Sequence, residues 1–150
     1  MPITYVTGDA ADPEERPVLI LHIVNNKGGW GAGFTASLSA RWPKAESSYR
    51  TTWYRTNFGR CVFAVVDRDV FVGHLFAQNG YKSRLNPHPL NLTALGTALE
   101  RVAEFMQVCL DMEIVMPRIG CGLAGGTWEE VEPLVQKHLA PFTAKVYDLR

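Results

Sequence analysis

Two glycine-rich stretches hold most of the residues whose types and spacing could do chemistry. The first runs His22-Ile23-Val24-Asn25-Asn26-Lys27-Gly28-Gly29-Trp30-Gly31-Ala32-Gly33-Phe34. The second runs Met116-Pro117-Arg118-Ile119-Gly120-Cys121-Gly122-Leu123-Ala124-Gly125-Gly126-Thr127-Trp128. Each follows an apolar run and precedes a helical pattern, so each reads as a turn from a buried strand into a helix. A turn of this kind presents backbone N–H groups at a helix N-terminus, where the dipole favours an anion. Glycine serves there because φ is positive or because a ligand must approach the backbone closely. One such turn is a weak phosphate signal. Two of them in a chain of 150 residues point to a ligand with two phosphates, held from both sides.

The elements that must position these turns are read from periodicity. Val18 to Val24 is a continuous apolar run, the pattern of a strand covered on both faces. Ile3 to Val6 alternates and stops at Thr7-Gly8-Asp9. Cys61 to Val66 and Val70 to Phe76 are two strands joined through Asp67-Arg68-Asp69, short enough for a hairpin. Ile114 to Met116 is a short buried strand, and Lys145 to Leu149 closes the chain as another. Phe34 to Trp42 is helical, and Pro43 opens a second helix at its first position, with Ala45, Tyr49 and Trp53 on it. Leu92, Leu95, Leu99, Val102, Met106 and Leu110 keep helical spacing, with Asn91 as the N-cap. Thr127 and Glu130 form a capping box in front of a helix carrying Val131, Leu134, Val135, His138 and Leu139. Between Gly80 and Pro89 lies a loop with Lys82, Arg84 and His88. Strands and helices interleave, so the fold class is a three-layer α/β/α domain over residues 1–150, with a mixed, mostly parallel six-stranded sheet.

Bulk composition excludes several functions. Fifteen basic and fifteen acidic residues cancel, which removes the field expected of a protein that grips duplex nucleic acid by its backbone. No apolar run approaches the roughly 20 residues of a membrane span, and no secretory leader is expected. The three cysteines, Cys61, Cys109 and Cys121, make neither a complete disulfide framework nor a zinc pattern, so no metal is expected and a reducing, cytoplasmic compartment is. Cys121, inside the second turn, would need a base to become a nucleophile, and no histidine is near it in sequence.

Gly120 to Gly125 matches GxGxxG, and Gly31 to Ala36 matches GxGxxA, but neither has the context of a dinucleotide site. The first turn leads into two consecutive helices, so the second parallel strand with its ribose-binding acid does not follow. The second turn has one strand after it. Neither ends in Gly-Lys-Ser/Thr, and no GxSxG is present.

The order of the motifs resembles that of a macrodomain across essentially the whole chain. The runs that carry the resemblance are Gly8-Asp9, Trp30-Gly31-Ala32-Gly33, Trp42-Pro43-Lys44-Ala45-Glu46 and Met116-Pro117-Arg118-Ile119-Gly120-Cys121-Gly122-Leu123. They are similar to the branch containing the terminal ADP-ribose protein glycohydrolases and the fungal-type ADP-ribose-1″-phosphate phosphatases. The resemblance implies ADP-ribose, free or protein-linked, as the ligand, no cofactor, and a monomer. It implies that Asp9, with Ala10 beside it, receives the adenine amino group, where the alternative is a turn-forming aspartate. Gly31, Ala32 and Gly33 would wrap the distal ribose and one phosphate. Ile119, Gly120, Cys121, Gly122, Leu123 and Ala124 would offer N–H groups to the pyrophosphate. His22 matches a histidine of this branch, against the alternative of a core histidine with a backbone partner. Of Asn25 and Asn26, one would face the distal ribose and the other tie down the loop. Trp30 and Phe34 would either stack on the ribose or close the core.

Two positions depart from the glycohydrolases that cut glutamate-linked ADP-ribose. Their catalytic lysine corresponds to Gln78, and the aspartate after their GCGL corresponds to Ala124. The lysine's role does not pass by position to Lys82 or Arg84. The implied activity is removal of mono-ADP-ribose from acidic side chains by a water held by His22, Asn25 or Gln78. The alternatives are a 1″-phosphatase using His22, or a reader of ADP-ribose without turnover.

Overall fold

The computed structural model describes residues 3–56, 58–109 and 111–149. The chain runs β1 (Thr4–Thr7), β2 (Val18–Asn25), α1 (Phe34–Arg41), α2 (Pro43–Arg50), β3 (Cys61–Asp67), β4 (Val70–Gln78), α3 (Leu92–Val108), β5 (Glu113–Met116), α4 (Trp128–Leu139) and β6 (Ala144–Asp148). Six strands form one sheet in the order β1-β6-β5-β2-β4-β3. Every neighbouring pair is parallel except the β3–β4 hairpin, which places its antiparallel strand at one edge. The mixed, mostly parallel α/β/α arrangement is therefore the one observed.

Alternation along β2 builds the two cores. Leu19 and Leu21 face the side covered by α3 and α4, packing with Leu75, Leu95, Leu99, Val131 and Val135. Val18 and Ile20 face the side of α1 and α2, packing with Val72, Leu38 and Ala45. With both faces covered, β2 has no exposed position, which explains its unbroken apolar run. The ends of α3 and α4 are fixed locally. Asn91 accepts from the Ala94 N–H at 2.9 Å, and the Thr127–Glu130 capping box is formed on both sides. Leu110, expected on α3, lies outside the described residues.

Two expectations are corrected. Helix α2 does not continue through Trp53; it stops at Arg50, and Trp53 begins a 3₁₀ turn (Trp53–Arg55). The Thr51 and Thr52 hydroxyls donate to the carbonyls of Ser47 and Ser48 at 3.1 and 2.7 Å, bonding that competes with helix continuation. The second correction concerns what the second glycine turn offers: it runs from β5 to α4 as expected, but its N–H groups are not those of the helix N-terminus. Residues 120–126 form a closed loop of their own, held by Gly126 N–H donating to the Gly120 carbonyl at 2.8 Å. The N-terminus of α4 is satisfied by its own capping box and by Glu129 and Glu130 in its first turn, so its dipole is not offered to a ligand.

Candidate functional site

Because β1, β6, β5, β2 and β4 are parallel, their carboxyl ends lie along one side of the sheet, where ligands of open α/β sheets bind. The first glycine turn leaves the end of β2, and the second leaves the end of its neighbour β5. Between them is a cleft of ≈ 740 Å³, within the range of a small-molecule site. Its walls include His22, Asn25, Trp30, Ala32, Gly33, Phe34, Gln78, Ile119, Gly120, Gly122, Leu123 and Ala124. The two turns approach each other: a Cβ placed on Gly33 would stand 3.5 Å from the Leu123 side chain. Among the described residues no carboxylate lines the cleft, and the two charged residues lining it are Lys82 and Arg118.

The first turn is shaped by Asn25. Its Oδ1 accepts from the N–H groups of Lys27 (2.9 Å) and Gly29 (3.0 Å) and from the Tyr49 hydroxyl (2.9 Å), while its Nδ2 donates to the Gly29 carbonyl (3.0 Å). Tyr49 is fully buried, its phenol pushed up to about 12 by that burial. Asn26 points elsewhere. It donates to Asn79 Oδ1 at 3.2 Å and accepts from the Gly80 N–H at 2.9 Å, tying the turn after β4. Both asparagines thus hold loops, and Asn25 alone lines the cleft. Beyond them the turn reaches α1, whose N-cap Gly33 has φ +61° and no side-chain cap, with no acid in the first turn. Among the described residues, the N–H groups of Ala32, Gly33, Phe34 and Thr35 find no protein acceptor.

The second turn offers a longer run. The N–H groups of Gly120, Cys121, Gly122, Leu123 and Ala124 make no hydrogen bond to the described residues. A run of unpaired backbone donors of this kind suits an anion without a helix dipole. Gly125 N–H closes back on Gly122 O at 3.0 Å, and the Leu90 N–H donates to Ala124 O at 3.0 Å. The Cys121 side chain is not in the cleft wall. Its half-buried thiol donates to the Ile119 carbonyl at 3.4 Å, and burial pushes its pKa up, so it is no thiolate nucleophile. Ala124 is buried and lines the cleft.

At the far end of the strand row Asp9 is exposed, with its Oδ1 accepting from the Ala11 N–H at 2.9 Å. Ala10 is only 3% exposed and packs into the core of the α1/α2 side with Trp42 and Tyr147, so its side chain faces away from any ligand. Gly31 is exposed beside the cleft, its N–H donating to Thr35 Oγ1 at 3.0 Å. The cleft also takes Thr35, Tyr81 and Arg118, which the sequence did not mark as cleft residues, and Lys82, from the loop expected beside the site. Arg118 stood inside the quoted motif. In the fold it forms a bidentate pair with Asp148 at 2.7 and 3.0 Å and lies over the Tyr5 and Trp128 rings. Tyr81 and Lys82 come from the loop after β4, whose path cannot be read from composition.

His22 lies in the cleft wall, 2% exposed, edge-on to Trp30 at 5.4 Å between ring centroids. Trp30 also packs against Tyr49 and His74, so it closes the core as well as lining the cleft. Burial, with His74 beside it, holds His22 well below the usual imidazole range, and burial pushes His74 down to about 3. Both rings are neutral in the folded protein, whereas each titrates near 6.5 when unfolded. Below that value the unfolded chain binds more protons, so stability is complete above pH ~6.5 and is lost as pH falls towards the folded values. The loss approaches about 1.4 kcal/mol per pH unit for each ring. A series of urea midpoints from about pH 7.5 to about pH 5 should fall accordingly, with roughly half the slope in His74→Gln. A flat series would refute the neutral pair.

Among the described residues no group of three or more His, Cys, Asp or Glu could hold a metal ion, and no helix is long and apolar enough to cross a membrane. No protein-family model matches the sequence. A macrodomain protein from Streptomyces coelicolor is 39% identical, with a TM-score of 0.84 over 97% of this chain and 98% of that one. A protein of unknown function from Bacteroides thetaiotaomicron is 36% identical, with a TM-score of 0.91 over 99% of both chains. The ADP-ribose 1″-phosphate phosphatase of Saccharomyces cerevisiae is 27% identical over 98% of both chains. With this fold, this cleft and that likeness, the chain belongs to the macrodomain family.

Proposed function

We propose that the cleft binds ADP-ribose and that the protein, acting as one macrodomain over residues 1–150, is a metal-independent hydrolase of an ADP-ribose derivative. The observation that carries this reading is the pair of unpaired N–H runs, Ala32 to Thr35 and Gly120 to Ala124, on the two turns bordering a cleft that has no carboxylate among the described residues lining it. Fixed backbone donors suit a diphosphate because they are already oriented and lose little on binding. Asp9, exposed at the end of β1, is the group for the adenine amino function. Lys82 and Arg118 add positive charge at the rim.

The substrate favoured is ADP-ribose joined to an acidic side chain of a protein. Asn25 commits its Oδ1 and one Nδ2 proton to the first turn, so only its second Nδ2 proton remains to donate to a water, and His22 and Gln78 are left to accept from it. Gln78 donates to the Gly80 carbonyl at 3.0 Å, which orients its Oε1 for a second partner. Water oxygen bonds to the anomeric carbon, and the bond to the carboxylate breaks with its electron pair leaving on the carboxylate. The water's proton passes to the neighbouring diphosphate. The end-to-end likeness to a fungal 1″-phosphatase supports a second reading, removal of the 1″-phosphate. The unpaired Cys61, Cys109 and Cys121 suit a reducing, cytoplasmic setting.

Incubation with a protein carrying glutamate-linked mono-ADP-ribose should release ADP-ribose. Release of inorganic phosphate from ADP-ribose-1″-phosphate instead would establish the second reading. Turnover of neither would reduce the protein to a reader.

A further inference from the structure

Behind the cleft, three polar side chains form a line through an aromatic interior. The register of β2 and β4 sets His22 directly opposite His74, and His22 Nε2 lies 2.7 Å from His74 Nδ1. His74 Nε2 lies 2.6 Å from Ser48 Oγ on α2, and the Ser48 hydroxyl donates to the Ala45 carbonyl at 3.0 Å. Trp30, Tyr49 and Phe34 pack around the two rings. The line ends abruptly: His22 Nδ1 is buried, and it is the one buried side-chain nitrogen or oxygen among the described residues that lacks a partner.

Proton counting gives the line a direction. The Ala45 carbonyl only accepts, and a Ser48 proton donated to it leaves Ser48 Oγ as the acceptor towards His74. The same carbonyl also favours a proton on the His74 ring. His74 therefore carries its proton on Nε2 and accepts at Nδ1. His22 must then donate from Nε2, and its Nδ1 is a bare lone pair. A buried polar atom without a partner calls for an explanation, and this one belongs to a residue of the cleft wall.

We propose that Ser48 and His74 are positioning residues that lock His22 in one neutral tautomer, so that its Nδ1 accepts a hydrogen bond from a ligand hydroxyl or the attacking water and turns away a phosphate oxygen. This rests on reading the cleft as an ADP-ribose site. A phosphate oxygen at this point would set lone pair against lone pair, whereas a ribose hydroxyl or a water brings the missing proton. The phosphates belong at the N–H arrays, and the O–H donor belongs at His22. The side of the ligand carrying free hydroxyls is thereby directed towards β2.

The test uses the full chain with ¹⁵N-labelled histidine, free of ligand, at neutral pH. The His22 signals should show Nε2 protonated and Nδ1 unprotonated. A protonated Nδ1 would overturn the proposal. Ser48→Ala should populate both His22 tautomers and lower kcat on mono-ADP-ribosylated protein several-fold with KM unchanged, while Ser48→Thr, which keeps the hydroxyl, restores both. An unaltered tautomer in folded Ser48→Ala would also overturn it. The spectrum needs no turnover, so it can fail while hydrolysis is observed, and hydrolysis can fail while the spectrum holds.

Discussion

Gly122→Glu should abolish ADP-ribose binding and leave the fold intact. Gly122 lines the cleft, and a Cβ built on it meets nothing within 4 Å. Its backbone is not in the left-handed region, so neither packing nor conformation requires glycine there. The requirement left is space for a ligand on the N–H array of the second turn. A glutamate would place a carboxylate against the pyrophosphate. At about 4 Å and an effective dielectric of about 20, that repulsion is about 4 kcal/mol, roughly a thousandfold in affinity. The free protein should melt within about 2 °C of the wild type, as an exposed change away from the core does. Gly33→Glu would be a poorer probe, because Gly33 has φ +61° and a side chain there is strained in the free protein. Normal ADP-ribose affinity in folded Gly122→Glu would show that the ligand lies elsewhere.

The second large effect belongs to Asn25. In Asn25→Ala, the N–H groups of Lys27 and Gly29 and the Tyr49 hydroxyl lose the oxygen they share. Tyr49 keeps the Asn25 backbone carbonyl at 2.8 Å, so the loss falls mainly on the turn. Unsatisfied donors in a partly buried turn make this a destabilisation of about 3 kcal/mol, a fall in Tm of roughly 6–12 °C. Because the turn aims the N–H groups of Ala32 to Thr35, ADP-ribose affinity should fall by about tenfold or more in the variant that remains folded. Asn26→Ala, whose bonds serve the turn after β4, should weaken binding far less. Equal effects of the two changes would contradict the division of labour between the asparagines.

A division between the two asparagines was legible in the sequence, but which of them takes which part was not. Alternation along a strand predicts opposite faces for Asn25 and Asn26, but the β2–β4 register shifts between Val24 and Asn25, and periodicity carries no sign of a bulge. The strands themselves were legible because burial on both faces writes an unbroken apolar run, as in Val18 to Val24. The start of α4 was legible because a capping box is local chemistry. That same box conceals what the sequence could not show: the α4 N-terminus is satisfied by its own cap, and the second turn closes as a loop of its own. The His22–His74 pair depends on register between strands far apart in sequence, and its third member, Ser48, looks like any surface helix serine. Lys82 entered the cleft from a loop whose path is set by Asn86, which donates to the carbonyls of Asn79 and Tyr81 at 2.8 and 3.0 Å.

Gln78 and Ala124 both line the cleft. Neither residue belongs to the first N–H array, and at Ala124 only the backbone N–H takes part in the second. Both are nearly buried, Gln78 braced by Gly80 and Ala124 by the Leu90 N–H. Under the proposed function, backbone donors hold the diphosphate and neutral groups beside it orient the water.

The most direct measurement is a calorimetric titration of the ligand-free protein with ADP-ribose, paired with its melting curve. The account predicts a single saturable site and, at about 100 times the dissociation constant, a stabilisation of about 2.7 kcal/mol. For a chain of this size that is a rise in Tm of roughly 5–10 °C, absent in Gly122→Glu. No heat of binding and an unchanged Tm at about millimolar ADP-ribose would contradict it.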